Sequence, residues 1–212
     1  MNISQAVFNS YAVNTYLLTA EDRTTVLIDP ACADKAEFAR LKKTIEEKQL
    51  NVVCMLLTHA HADHILGIPF VADAFPNAQF LMHKEGLPLY EDANDYSLIM
   101  GFKKREFPAP SGLVTDGQEL VFSDIKLKVL HTPGHAPGSI CYYAKEEDVV
   151  FSGDVLFCSS VGRTDLPGGD TETLYHSIRE QLFTLPNTTL VLPGHGSETT
   201  IGFEKQHNPF LK

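Results

Sequence analysis

The 212-residue sequence lacks three features that would place it in a membrane or outside the cell. No apolar stretch approaches the length of about 20 residues that a membrane-spanning helix needs. The N-terminus lacks the positive region and the apolar run of a secretory signal. The four cysteines are scattered, with no Cys-x-x-Cys pair, which favours free thiols in a reducing compartment over disulfides. We therefore expect a cytoplasmic protein with no membrane partner.

Positive charge is also scarce, since the chain has 17 basic and 27 acidic residues and a formal net charge of −10. This balance argues against nucleic acid or an anionic membrane surface as a partner. Low-complexity segments and blocks of one charge sign are absent, and 43% of the residues are hydrophobic. A chain of this length and composition predicts one well-filled domain over residues 1–212.

Strand-like and helix-like segments are mixed along the chain. Apolar runs bounded by turn residues predict strands at 11–20, 24–28, 52–57, 78–82, 119–131, 139–144, 148–153 and 189–192. Apolar residues three and four apart predict helices at 34–50, about 63–75 and 171–185. Early hairpins followed by strand–helix units indicate an α/β sandwich, in which two sheets face each other and the helices lie outside.

Residues 86–118 do not fit this pattern. Glycines and prolines alternate there with four aromatic residues, Tyr90, Tyr96, Phe102 and Phe107. A long loop of this kind is usually functional or disordered, and its aromatic residues favour a lid or a pocket wall. The basic residues 103–105 could contact an anionic substrate or form a solvated charge cluster, and we favour the second interpretation.

One heptapeptide, Thr58-His59-Ala60-His61-Ala62-Asp63-His64, carries the strongest chemical signal. It follows the apolar run 52–57, which is typical of a buried strand. Histidine nitrogen and aspartate oxygen both bind borderline transition metals. Four such groups in one small volume would repel one another when charged unless a cation lay between them. A histidine-rich surface loop is the alternative, and it does not explain why the cluster directly follows a buried strand.

Three further turns place a candidate ligand just past a predicted strand. These are Pro133-Gly134-His135, Ser152-Gly153-Asp154 and Pro193-Gly194-His195. Glycine lets the backbone approach a crowded centre that a side chain would block. Sites in α/β folds collect at the carboxyl ends of strands. The seven candidates exceed the four ligands of one tetrahedral zinc, so they predict two divalent ions that share a carboxylate. The nitrogen-rich set favours zinc, with iron or manganese possible.

In their order, these motifs resemble those of the metallo-β-lactamase-fold hydrolases, and particularly the small glyoxalase II-type group. Gly162-Arg163-Thr164-Asp165 and Asn208-Pro209-Phe210 also resemble that group. The resemblance implies a four-layer αββα sandwich. It also implies a first metal on His59, His61 and His135, a second on Asp63, His64 and His195, and Asp154 as the bridge. Asp29 resembles an acid that orients a ligand.

The resemblance implies a small-molecule thioester such as S-lactoylglutathione as substrate. A metal-bridging hydroxide would be the nucleophile, and Asp63 would orient it or take its proton. Thioesters suit such a site because a thiolate leaves readily, whereas an amide nitrogen must first be protonated. Full-length glyoxalase II enzymes carry an additional helical portion that binds glutathione, and this chain has no counterpart of it. The substrate-binding residues are therefore open.

Two alternatives remain open at this stage. One is a persulfide dioxygenase of the same fold, with a single iron on residues corresponding to His59, His135 and Asp154. The other is a non-catalytic metal-binding scaffold, which has no need of all seven ligands.

The roles of three residues near the candidate ligands are also open. His131 could support His135, and Arg163 with Asp165 could act near the site or only fix their loop, the structural role being favoured.

Overall fold

Two six-stranded sheets carry most of the apolar sequence, and seven helices cover them. The computed structural model describes all 212 residues. The strands are β1 (Asn2–Phe8), β2 (Val13–Thr19), β3 (Thr24–Ile28), β4 (Asn51–Leu56), β5 (Gln79–His83), β6 (Gly112–Val114), β7 (Glu119–Phe122), β8 (Ile125–His131), β9 (Ile140–Ala144), β10 (Val149–Gly153), β11 (Leu156–Phe157), β12 (Ser160–Val161), β13 (Leu190–Pro193) and β14 (Thr199–Thr200). The helices are α1 (Lys35–Glu47), α2 (Ala62–Ile65), α3 (Ile68–Ala74), α4 (Leu87–Glu91), α5 (Ala93–Ile99), α6 (Thr171–Ser177) and α7 (Ile201–His207).

Both sheets are mixed. The first has the order β1-β2-β3-β4-β5-β6, antiparallel from β1 to β3 and parallel from β3 to β6. The second has the order β14-β13-β10-β9-β8-β7, in which only β10 and β13 are parallel. The pair β11–β12 forms a separate ribbon. In the first sheet β3, β4 and β5 therefore end at one edge, which is where the heptapeptide begins.

Alternation along the strands divides the core into layers. In β4, Cys54 and Leu56 pack between the two sheets, while Met55 packs with the helices outside the first sheet. In the second sheet Phe151 faces inward, and Val150 packs against the helices α6 and α7. Because successive side chains of a strand point to opposite faces, each sheet contributes to two cores. The predicted αββα sandwich is confirmed.

The helices α1 and α6 begin at aspartates, as the sequence indicates. Asp34 Oδ1 accepts hydrogen bonds from the backbone N–H groups of Ala36 and Glu37, at 2.8 and 2.9 Å. Asp170 Oδ1 accepts one from Thr173 N–H at 2.8 Å. Each carboxylate satisfies donors that the first helical turn leaves free. The α6 segment continues to residue 182 in a wider π turn, and its predicted apolar face is fully buried.

The helix predicted for residues 63–75 is divided at Gly67. A Cβ at this position would lie 2.5 Å from the carbonyl oxygen of Pro30, and Gly67 N–H donates to that oxygen at 2.8 Å. This close contact with the segment after β3 separates α2 from α3. Because the helix is divided here, α2 is a single turn, and it carries Asp63 and His64.

The prediction of a continuous loop over 86–118 is wrong. This segment contains α4, α5 and the edge strand β6. Tyr90 in α4 is buried, packs at an inclined angle against the ring of Phe80 in β5, and donates to the carbonyl of Pro108 at 2.8 Å. Two short helices therefore pack on the first sheet, and residues 100–111 return along them to β6. No helix has the length and apolar character needed to cross a membrane.

Candidate metal centre

The structure brings all seven candidate ligands to one edge of the sandwich. Each follows a strand of one sheet or the other, so two rigid frameworks position the group. After β4 come His59, His61, Asp63 and His64; after β8, β10 and β13 come His135, Asp154 and His195 respectively. His59, Asp63, His64 and His135 are buried, and His61 is half-buried. The Asp154 side chain is 12% exposed, and that of His195 is about a quarter exposed.

The ligand atoms fall into two groups. His59, His61 and His135 offer three nitrogens that all lie within 4.8 Å of one another. His59 Nε2 and His135 Nε2 are 3.3 Å apart. This is close to the separation of about 3.3 Å expected between two nitrogens on one tetrahedral zinc ion.

The second group consists of Asp63, His64 and His195, whose ligand atoms also lie within 4.8 Å of one another. His64 Nε2 lies 3.2 Å from His195 Nε2, and Asp63 Oδ2 lies 3.4 Å from His195 Nε2. Two ring nitrogens and a carboxylate oxygen therefore converge on a second point. Such a set suits a borderline divalent cation.

Asp154 lies between the two groups. Its Oδ1 is 3.3 Å from His64 Nε2, while its Oδ2 is 3.4 Å from His195 Nε2 and 3.8 Å from His135 Nε2. Oδ1 is buried and accepts no hydrogen bond of good geometry. A buried carboxylate oxygen without a donor is costly unless a cation occupies the space that it faces. Asp154 is therefore placed to contact ions in both groups.

The opposite ring nitrogens are fixed by hydrogen bonds. His135 Nδ1 lies 2.7 Å from the carbonyl oxygen of Arg163, and His195 Nδ1 lies 2.9 Å from that of Tyr11. Because a carbonyl only accepts, both Nδ1 atoms must carry the proton. In a neutral ring this leaves the Nε2 lone pair free and directed into the centre.

Asp29 does the same for His64 directly, and for His59 through Thr58. Its Oδ2 is 2.9 Å from His64 Nδ1 and accepts a hydrogen bond from Thr58 Oγ1 at 2.6 Å. Thr58 Oγ1 is in turn 3.1 Å from His59 Nδ1. The threonine hydroxyl donates to Asp29, so it accepts from His59. Asp29 adopts a left-handed φ of 49° directly after β3, and its side chain is buried.

These contacts give a direct test of whether a cation fits. With Nδ1 protonated, His59 and His135 direct two lone pairs at each other across 3.3 Å, and His64 and His195 do so across 3.2 Å. Neither pair can form a hydrogen bond unless one ring becomes a cation. One divalent ion at each pair would accept the lone pairs of both nitrogens in that pair. The donor set and its geometry therefore fit two metal ions.

The two groups differ in their affinity for protons. Burial lowers the pKa of His61 to about 4 and that of His59 well below its usual value. Burial alone would also lower the pKa of His195, but Asp154 and Asp63 beside it raise that pKa to about 9. Burial alone would also lower the pKa of His64, but Asp154 and Asp63 raise it well above its usual value. In the metal-free protein at pH 7, the first group is therefore neutral, and the pair of His64 and His195 carries positive charge.

We therefore expect metal binding to release protons at pH 7. A ligated Nε2 cannot keep its proton, and the raised pKa of His195 means that this nitrogen carries one before the metal binds. Calorimetric zinc titration of metal-free protein, in two buffers of different ionisation enthalpy, should detect the release of at least about one proton per chain. A binding enthalpy that is the same in both buffers would contradict this expectation.

Two glycines lie against the centre where a side chain would not fit. A Cβ on Gly194 would lie 2.3 Å from Asp154 Oδ1 and 2.7 Å from His64 Cε1. A Cβ on Gly162 would lie 1.9 Å from the carbonyl oxygen of Asp154. Because real Cβ contacts are not that short, both positions require glycine for close approach of the backbone.

Some residues that hold the centre together were not identified from the sequence. Thr58 connects His59 to Asp29, and its position beside the first histidine was an available signal. Asn14 Nδ2 donates to the carbonyls of Pro193 and Gly196, at 2.9 and 3.1 Å, and so fixes the turn that carries His195. Nothing in the sequence pattern connects β2 with this distant turn.

Arg163 supports the centre through its backbone. Its side chain forms an exposed, two-point ion pair with Asp165, with both N–O distances at 2.7 Å, while its carbonyl oxygen faces His135. The favoured structural role of this pair agrees with these contacts. His131 lies elsewhere, since its Nε2 is 3.4 Å from Glu85 Oε2 and its ring stacks on His83.

Aromatic side chains lie beside the second group of ligands. The rings of Tyr11 and Phe102 are inclined to each other at 51° with their centroids 5.7 Å apart, and the Phe157 ring centroid lies 6.3 Å from that of His195. The Tyr11 backbone also holds His195. Phe102 comes from the segment after α5, so this segment does reach the neighbourhood of the centre.

The basic residues 103–105 are not all solvated. Arg105 donates to the backbone carbonyls of Leu66 and Ala33, and its guanidinium lies over the Phe70 ring at 4.5 Å. The interpretation as a solvated cluster is therefore wrong for Arg105. The three basic residues line a cleft of about 920 Å³. None of the seven candidate ligands lines that cleft.

We expect Arg105→Lys to destabilise the protein by about 1–3 kcal/mol, since an ammonium cannot reproduce the planar, forked set of hydrogen bonds and would leave carbonyls unpaired. Urea unfolding measures this effect. Lys104→Ala, which removes an exposed neighbouring charge, is the matched control and should change stability by less than about 0.5 kcal/mol. Equal destabilisation by the two variants would contradict the role assigned to Arg105.

The family model for the metallo-beta-lactamase superfamily matches residues 9–195. The sequence is 42% identical over 199 residues to the "Probable metallo-hydrolase YqgX" of Bacillus subtilis, covering 93% of this chain and 92% of the relative. It is 35% identical over 212 residues to the "Hydroxyacylglutathione hydrolase GloC" of Haemophilus influenzae, covering 100% and 98%.

Solved structures resemble the chain over its whole length. The BLEG-1 B3 metallo-beta-lactamase is 39% identical with a TM-score of 0.91, and the match covers 100% of both chains. TTHA1623, solved in a di-iron-bound form, is 38% identical with a TM-score of 0.88, and the match covers 98% of this chain and 100% of that one. Two of these names state a hydrolase activity, one on hydroxyacylglutathione and one on a β-lactam. A third structure is described with two bound iron ions.

Proposed function

This chain belongs to the metallo-β-lactamase superfamily, and from that premise we propose that it is a dinuclear metal-dependent hydrolase of a thioester. The observation that carries the proposal is the pair of short Nε2–Nε2 separations, 3.3 Å between His59 and His135 and 3.2 Å between His64 and His195. In both pairs, the Nδ1 atom of each ring forms a hydrogen bond. The arrangement supports two cation sites on opposite sides of Asp154.

The ligand assignment follows the two groups of atoms. The first ion would be held by His59, His61 and His135, and the second by Asp63, His64 and His195. Asp154 would bridge them, because its Oδ1 faces His64 of the second group while its Oδ2 lies between His195 of the second group and His135 of the first. The nitrogen-rich set supports zinc, while the di-iron form of a structure that is 38% identical supports iron as the other metal to test.

Two divalent ions at such a site lower the pKa of water and polarise an acyl carbonyl. Asp63 would accept and hold the proton of the attacking water. Burial alone would raise the pKa of Asp63, but His64 and His195 lower it, so its carboxylate is ionised at neutral pH. Its Oδ2 lies at the second group, 3.4 Å from His195 Nε2. Asp29, Thr58 and the carbonyls of Arg163 and Tyr11 keep the four imidazole rings fixed during turnover.

Three considerations support a thioester as the substrate. A thiolate leaves without prior protonation, and all five histidines of the centre would serve as metal ligands, which leaves none of them to protonate a leaving group. The aromatic pair of Tyr11 and Phe102, with Phe157, offers apolar surface beside the centre for an acyl or thiol chain. The relative named as a hydroxyacylglutathione hydrolase matches the whole of this chain. S-lactoylglutathione is therefore the first substrate to test.

The test combines metal content with turnover. Protein purified without added metal should contain about two divalent ions per chain and hydrolyse S-lactoylglutathione, and removal of the metal by a chelator should abolish turnover. A single iron per chain, no thioester turnover, and oxygen uptake with glutathione persulfide would instead favour the dioxygenase alternative. Full metal content with no turnover of any substrate would favour a metal-binding scaffold.

A β-lactam is the second candidate substrate, since a similar structure over the full chain is a B3 metallo-beta-lactamase. The same preparation should be assayed with a cephalosporin. We expect kcat/KM for the thioester to exceed that for the β-lactam by at least about tenfold, which corresponds to about 1.4 kcal/mol of transition-state stabilisation. The reverse order would assign the centre to β-lactam hydrolysis.

A further inference from the structure

A second cluster of metal-binding side chains lies outside the seven residues described above. His83 ends β5 in the first sheet, and His131 ends β8 in the second sheet. Their rings stack with centroids 4.2 Å apart and an interplanar angle of 23°. Glu85, two residues after β5, places its Oε2 3.4 Å from His131 Nε2.

We infer that His83, Glu85 and His131 form a further divalent-metal site that connects the two sheets. One nitrogen or oxygen from each residue lies within 4.8 Å of the other two. Two imidazoles and a carboxylate are a donor set that zinc binds, with water as the fourth ligand. The partly exposed side of the cluster is open to such a water, since Glu85 is half exposed.

The histidines are poorly satisfied without a cation. His131 Nε2 is buried and has no hydrogen-bond partner of good geometry. His83 is only 3% exposed, and its Nδ1 receives one long contact of 3.4 Å from Glu85 N–H.

The backbone already holds the ligands close to the required positions. His131 N–H donates to Asp116 Oδ1 at 2.8 Å, which fixes the end of β8. A Cβ on Gly138 would lie 2.3 Å from the backbone nitrogen of Gly86, so the loops that follow the two strands pack backbone against backbone. The Glu85 Oε2 to His131 Nε2 distance of 3.4 Å is already close to the about 3.3 Å expected between two ligands of tetrahedral zinc.

A bound ion would connect β5 of one sheet to β8 of the other through side chains. It would stabilise the folded state in proportion to the logarithm of the free metal concentration above its dissociation constant. The site shares no residue with the seven-ligand centre, and the inference does not depend on the proposed hydrolase function. It predicts one more divalent ion per chain than that centre holds.

Zinc content after loading tests the inference. The protein is equilibrated with micromolar free zinc, desalted in the same free zinc concentration, and analysed for zinc and protein. His131→Asn should contain one zinc per chain fewer than the unmodified protein, and Glu85→Gln should bind that zinc at least about tenfold more weakly. His207→Ala, which removes an exposed imidazole elsewhere, is the matched control and should leave the content unchanged.

The Asp154→Ala background separates this site from the proposed catalytic centre. In that variant, weakened at the seven-ligand centre, adding His131→Asn should still remove one zinc per chain. At free zinc concentrations above those that saturate the seven-ligand centre, more zinc should further raise the melting temperature of the unmodified protein. The melting temperature of His131→Asn should not rise further. Equal zinc content and equal zinc-induced stabilisation with and without His131 would overturn the inference, whatever the result of the thioester assay.

Discussion

Replacing Asp154 with alanine should remove most of the bound metal and reduce thioester kcat/KM by at least about 10³-fold. Its two oxygens are the only carboxylate oxygens that face both groups of imidazoles, at 3.3 Å from His64, 3.4 Å from His195 and 3.8 Å from His135. Without this charge two cations would repel each other with no anion between them. Elemental analysis and steady-state kinetics on the same preparation measure both effects.

Two further variants make the Asp154 experiment specific. Asp154→Asn keeps the shape of the side chain but loses its charge, so it should also lose metal, while its metal-free form should unfold at nearly the same temperature as the metal-free unmodified protein. Asp73→Ala removes an exposed aspartate of α3 that makes no hydrogen bond, and it should retain metal and activity. Undiminished turnover in Asp154→Ala or Asp154→Asn would refute the bridging role.

Gly194→Ala should be nearly as damaging, although it changes neither a ligand nor a charge. The new methyl group would lie 2.3 Å from Asp154 Oδ1 and 2.7 Å from His64 Cε1. The backbone cannot retreat freely, because Gly194 N–H donates to Gly153 and the Gly194 carbonyl accepts from Asn14, both at 2.8 Å. Overpacking of this kind costs about 1–3 kcal/mol and displaces the ligands.

We expect Gly194→Ala to lower thioester kcat/KM by at least about 10²-fold, because displacement of catalytic groups by about 1 Å has effects of that size. Metal content should fall with it, and the melting temperature should drop by about 2–10 °C. Gly117→Asn is the control, since Gly117 has a φ of 72° that asparagine tolerates and no atom lies near its would-be Cβ. Comparable losses in the control would mean that the effect is not steric crowding at the centre.

The local parts of the centre could be predicted from the sequence. The heptapeptide places four candidate ligands in consecutive turns after a strand, and glycine and proline mark the turns at His135 and His195. The two-sheet architecture followed from apolar runs of strand length. These features are encoded in short segments, where side-chain type and spacing determine structure directly.

Features that depend on long-range contacts were not predictable from the sequence. The division of the helix at Gly67 depends on contact with the carbonyl of Pro30, and the anchoring of Arg105 depends on carbonyls from two other segments. The helices α4 and α5 were mistaken for a loop because glycines and prolines flank them. The partner of His131 lies in the other sheet, so spacing along the chain gave no sign of it.

The division of the seven ligands between the two sheets has a consequence for biosynthesis. Four of them follow β4, and three follow strands of the second sheet, the last being His195. The ring of His195 is oriented by the backbone of Tyr11, at the opposite end of the chain. A nascent polypeptide therefore cannot complete either proposed ion site while only its first half has left the ribosome. Metal acquisition is then a late step, which follows the docking of the two halves and commits the chain to its mature state.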